Sequence, residues 1–86
     1  MEKSAHVEQQ IKAYILEEFL AGEDPEQLTN TTPLITAGLL DSIATLQLVE
    51  FLETEFSITV APNEADAEHL DTIERIAQLV ATKSRA

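Results

Sequence analysis

The chain reads as all-α: a small four-helix bundle of three long helices and one short one, with a long ordered loop after the first helix. Three observations predict this. Apolar residues recur at three- and four-residue spacing in three separate stretches. Strand-like sequence is confined to residues 57–60, too little for a sheet. The 86 residues make one domain, a size at which folding buries about 63% of the unfolded surface, enough for a single core.

The first helix is expected from about Ala5 to Leu20, with Ser4 as its N-cap, because a serine hydroxyl can accept a free amide of the first turn. Val7, Ile11, Tyr14, Ile15 and Phe19 form its apolar stripe, and Gly22 stops it. Residues 21–40 lack a period. A connection of that length is long for a compact domain. Pro25, Pro33 and Gly38 interrupt it, while Leu28, Leu34, Ile35, Leu39 and Leu40 predict that it packs over the bundle. The second long helix should open at Asp41 or Ser42 and end near Phe56. A short helix follows around Asn63 to His69, with Pro62 suited to a first helical position. The last helix opens at Asp71, where Asp71 and Glu74 have capping-box spacing ahead of Ile73, Ile76, Ala77 and Val80. Lys83 and Arg85 complement its dipole. The whole chain, 1–86, is taken as one domain, with flexible ends at about 1–4 and 82–86.

Composition narrows the function. Sixteen acids against five bases give a net charge of −11, and no base lies between Lys12 and Arg75, a stretch with fourteen acids. Such a surface repels phosphate backbones and anionic lipid, so nucleic-acid and membrane partners are not expected. Basic protein surfaces are. Charge that only keeps a small protein soluble would give the same composition. There are no cysteines, which excludes a disulfide framework and a Cys-based zinc site. No apolar run reaches the roughly 18 residues of a membrane span. Lys3 is followed by no apolar block of a secretory signal, so the expected compartment is the cytoplasm.

The second long helix carries the functional signal. At roughly 100° per residue, Leu48, Val49, Leu52 and Phe56 share a core-facing arc. The opposite arc holds Ile43, Leu46, Gln47, Glu50, Glu53 and Thr54. A solvated face needs no large aliphatic side chains, whereas an acidic rim around a small apolar patch suits transient protein binding. The alternative is that Ile43 and Leu46 pack under the long loop. Ser42 stands at the start of this helix with three possible roles. It could be a plain N-cap. It could be a nucleophile, but that needs a base and an oxyanion hole, and neither a Gly-x-Ser-x-Gly pattern nor a preceding strand is present. It could be an attachment point, since a phosphodiester there would meet the positive end of the helix dipole.

The run Gly38-Leu39-Leu40-Asp41-Ser42-Ile43, followed by Leu46, Leu48-Val49-Glu50 and Leu52-Glu53-x-Glu55-Phe56, resembles the acyl carrier protein family. The hallmark there is Asp-Ser-Leu or Asp-Ser-Ile opening the second helix, and the resemblance covers nearly the whole chain. It implies that Ser42 receives 4′-phosphopantetheine from a phosphopantetheinyl transferase and that Asp41 helps this basic enzyme recognise the site. It implies that Ile43, Leu46, Gln47, Glu50 and Thr54 belong to a recognition helix, the acidic rim including Glu53, and that Val60 lines the path of the arm or acyl chain. It implies a monomeric carrier that is not an enzyme. Such a carrier is loaded by an acyl- or aminoacyl-activating ligase, an adenylation enzyme or an acyltransferase, and is unloaded by downstream biosynthetic enzymes. Tethering keeps the intermediate at high effective concentration.

The sequence departs from the fatty-acid-synthesis type. Leu39-Leu40 replaces Gly-Ala, and Ala44 and Gln47 stand where that type has acids. Gly-Leu-Leu-Asp-Ser is more similar to discrete carriers of specialised metabolism: aminoacyl, peptidyl and D-alanyl carriers and carriers of polyketide extender units. A polyketide or nonribosomal-peptide setting is the expectation. Two other classes compete. A calcium-binding helical protein would need a central glycine within an alternating acidic loop, and neither Gly22 nor Gly38 has that spacing. An unmodified acidic helical adaptor would use Ser42 only as a cap and the mixed arc to dock basic proteins.

Overall fold

A computed structural model gives the fold; it describes residues 2–20, 22 and 24–83. Four α-helices are present among them: α1 (Glu2–Glu18), α2 (Ser42–Phe56), α3 (Ala67–Leu70) and α4 (Ile73–Lys83), with short 3-10 turns at Pro25–Gln27 and Pro62–Glu64. No strand occurs among the described residues, so 57–60 is a linker. The radius of gyration, 11.8 Å, matches the roughly 12 Å of a fully collapsed chain this long.

One core unites the elements. The stripe of α1 contributes Ile11 and Ile15, both wholly buried, with Val7, Tyr14 and Phe19 half-buried at its edges. From α2 come Ala44, Leu48 and Leu52, and from α4 come Ile73, Ile76, Ala77, Leu79 and Val80. Helix α1 packs against α4, and α3 against the start of α4. The loop supplies Leu28, Leu34 and Leu40, each at most 2% exposed, so its fold is driven by burial although it has no helical period. Gly38, at φ +81°, allows the left-handed turn that brings Leu40 back under the loop, where its amide donates to the Leu34 carbonyl at 2.9 Å.

Several boundaries differ from expectation, each for a local reason. Helix α1 begins at Glu2, which puts Ser4 inside the helix and not at its cap. The short third helix is split, a 3-10 turn at Pro62–Glu64 and then α3, because the Asp66 carboxylate caps α3 through the His69 amide at 3.1 Å. Asp71 does not cap α4; Thr72 does, its Oγ1 accepting from the Arg75 amide at 3.1 Å. Lys83 pairs with Glu64 across 2.6 Å, tying the end of α4 to the 3-10 turn. Arg85 lies outside the described residues, as do Met1 and the last three residues of the expected flexible ends; residues 2–4 and 82–83 are helical.

Asp71 clamps the loop instead. Its Oδ1 accepts from the amides of Leu34, Ile35 and Thr36 at 3.2, 2.8 and 2.9 Å, and its Oδ2 from the Thr36 hydroxyl at 2.9 Å. These bonds, those from Thr36 first, hold the carboxyl below its ordinary value. The Glu74 amide, left free at the start of α4, donates to the Asn30 carbonyl at 3.0 Å. The loop is thereby fixed at two points to the α3–α4 corner, and its last turn delivers Asp41 to the head of α2.

Candidate functional site: the head of the second helix

Asp41 and Ser42 are both good cap formers, and only one can cap. Asp41 does: its backbone is extended, its Oδ1 accepts from the Ala44 amide at 2.7 Å, and its carbonyl accepts from both the Thr45 amide and hydroxyl at 2.8 Å. Ser42 becomes the first helical residue. It is exposed, and no hydrogen bond to its hydroxyl is found among the described residues. Its Oγ is thus a free hydroxyl on the first turn, where the helix dipole favours an attached phosphate.

Beside Ser42 runs an open groove of about 540 Å³. Ile35 and Leu40 from the loop, Thr45 and Leu46 from α2, and Ala65 and Ala67 from the third segment wall it. Asp41, Ser42 and Asp66 complete the lining. Small alanines on the far wall leave room that larger side chains would fill. Val60, which the resemblance places along the arm or acyl chain, is 8% exposed within the core and is not among the residues that line this groove. The wall residues Ala65, Asp66 and Ala67 escaped the sequence reading; the Asp66-to-His69 cap spacing was the available signal.

Of the mixed arc, Ile43 and Leu46 are 68% and 62% exposed, so neither packs under the loop. Gln47, Glu50 and Thr54 are exposed beside them. Glu53 differs: it is half-buried, and its carboxylate accepts from the Val60 amide at 2.9 Å, bracing the turn after α2. Leu39 is also partly exposed, at 39%. Near the groove, the Asp66 carboxylate meets His69 Nδ1 at 2.9 Å; this contact, foremost, lowers the Asp66 pKa and raises that of His69.

The head of α2 thus combines a free serine hydroxyl beside a capping aspartate, an open groove and an exposed aliphatic pair. The chain belongs to the phosphopantetheine attachment site family, whose model matches residues 9–80. It is 44% identical over 70 residues to the D-alanyl carrier protein of Listeria welshimeri serovar 6b, spanning 80% of this chain and 88% of that protein. It is 43% identical over 70 residues to the D-alanyl carrier protein of Listeria innocua serovar 6a, with the same coverage. The protein is therefore a carrier domain of the acyl carrier protein family, and its cofactor is 4′-phosphopantetheine on a serine. Such carriers are not themselves catalysts, and they work with a phosphopantetheinyl transferase and a loading enzyme. No helix among the described residues is long and apolar enough to cross a membrane.

Proposed function

We propose that Ser42 bears the 4′-phosphopantetheine arm and that the cargo is an aminoacyl group, loaded by an amino-acid-activating ligase. The observation that carries this reading is the division of labour at the helix head: Asp41 takes the cap and leaves the Ser42 hydroxyl free. Only Ser42 and Ser57 lie within the matched residues 9–80, and Ser57 ends α2 as its left-handed C-cap. The cargo class rests on the two D-alanyl carrier relatives. It favours a discrete aminoacyl carrier over the polyketide or nonribosomal-peptide setting.

The residues around Ser42 fit the group. The groove accepts a slender, partly polar arm along Leu40, Ala65 and Ala67, and its open side lets the arm swing out. When attached, the arm supplies a terminal thiol that holds cargo as a thioester. Asp41 keeps the first turn wound and adds negative charge for a basic transferase. Ile43 and Leu46 give partners an apolar contact, with Gln47, Glu50 and Thr54 as its polar rim. Glu53 fixes the turn after α2 through the Val60 amide.

The test is stepwise intact mass. Transferase and coenzyme A should add one phosphopantetheine, and ATP, D-alanine and a D-alanine-activating ligase should then add one hydroxylamine-labile alanyl group. An arm that accepts only fatty or polyketide acyl groups would overturn the cargo assignment. No arm at all on the folded protein would overturn the whole reading.

A further inference from the structure

A second built surface joins α1 to α2. Tyr14 and Phe51 stack with ring centroids 4.0 Å apart and planes 12° from parallel. The Tyr14 hydroxyl donates to the Gln47 carbonyl at 3.1 Å, which fixes the pair across the two helices. Both rings are half-buried. A hollow opens on each side, of about 370 and 270 Å³, and Tyr14, Phe51 and Glu55 line both. Glu18 and Glu50 rim the first, Glu17 the second, and no basic residue lines either.

We propose that this ridge docks an arginine-bearing segment of a basic protein partner. The two rings pack against the core on one side, yet each stays half-exposed among the carboxylates. Here ring surface can cover the methylenes of a long side chain, and the carboxylates stand where its cation would end. Arginine fits better than lysine, because a planar guanidinium both lies against rings and bridges carboxylates with two parallel bonds. The phenol of Tyr14 is held above its ordinary value, by burial first and then by Glu18 and Glu50. A guanidinium seated there would draw it down again. Gln47, Glu50 and Thr54 line the first hollow and also belong to the exposed arc of α2. A partner on that arc would therefore reach α1 without a break. The inference does not depend on Ser42 being modified.

Tyr14 is the sole tyrosine and there is no tryptophan, so intrinsic emission reports on this ridge alone. The probe is a blocked alanine-based helical peptide with two arginines four residues apart, titrated to about 1 mM at low salt. Expected are a saturable change in tyrosine emission, no change with the citrulline peptide, and weaker binding of the lysine peptide by about threefold or more. Glu18→Gln with Glu50→Gln should weaken the arginine peptide by about tenfold. Glu68→Gln with Glu74→Gln, which line neither hollow, should change it by less than about twofold. Circular dichroism checks that each pair of substitutions leaves the helices intact. Equal binding of the lysine peptide, equal weakening by the two pairs, or no tyrosine response overturns the proposal, the first two reducing it to general charge attraction.

Discussion

Asp41 and Ser42 stand one position apart and are both suited to capping, so sequence leaves open which of them caps. Packing decides: the loop's last turn buries Leu40 and presents Asp41 in extended geometry to the Ala44 amide. Asp41→Ala should cost about 1 kcal/mol in chemical denaturation, the usual value of an N-cap. Ser42→Ala should stay within about 0.5 kcal/mol, as a surface change that breaks no bond. Comparable losses for both would mean that Ser42 caps. Asp71 shows the limit of local reasoning. Its spacing to Glu74 suggested a cap, yet its partners Leu34, Ile35 and Thr36 lie more than thirty residues earlier. Its pKa is lowered in the folded state, so its contribution is present above the ordinary carboxylate value and is lost as pH falls through the folded value. Wild-type protein should therefore lose stability below about pH 4 more steeply than Asp71→Asn, measured by urea midpoints across pH. Parallel curves would remove the clamp.

Helices with a clear apolar period were legible, because one face of each meets the core. The stripe of α1, the core arc of α2 and the apolar set of α4 appear as their spacing predicts. Legibility ended at the groove walls, which depend on contacts between elements, and at the Pro62–Glu64 turn and the Asp66 cap, which are local but leave no mark on an apolar period. Leu52, wholly buried, should lose about 2–5 kcal/mol on truncation to alanine, seen in thermal or chemical unfolding. Ser57 ends α2 at φ 55°, a conformation that favours glycine. Ser57→Gly should hold or raise the melting temperature, and a clear fall would mean that its side chain matters. On the exposed arc, Ile43→Asp should weaken coupling to the transferase with little change in helicity; a large stability loss would instead place Ile43 in the core.

For the molecule as a whole, net charge −11 and a core assembled from every segment serve one arrangement. The loop has no period of its own, but three buried leucines and the Asp71 clamp pack it against the helices and lead it to the head of α2. Under the proposed function, that segment holds the Ser42 hydroxyl outward beside the groove for attachment of the arm. The most direct measurement is tandem mass spectrometry of peptides from the folded protein after treatment with a phosphopantetheinyl transferase and coenzyme A. The account predicts the adduct on Ser42 and none on Ser57. An adduct on any other residue, or an unmodified Ser42 in protein whose circular dichroism is fully helical, would contradict it.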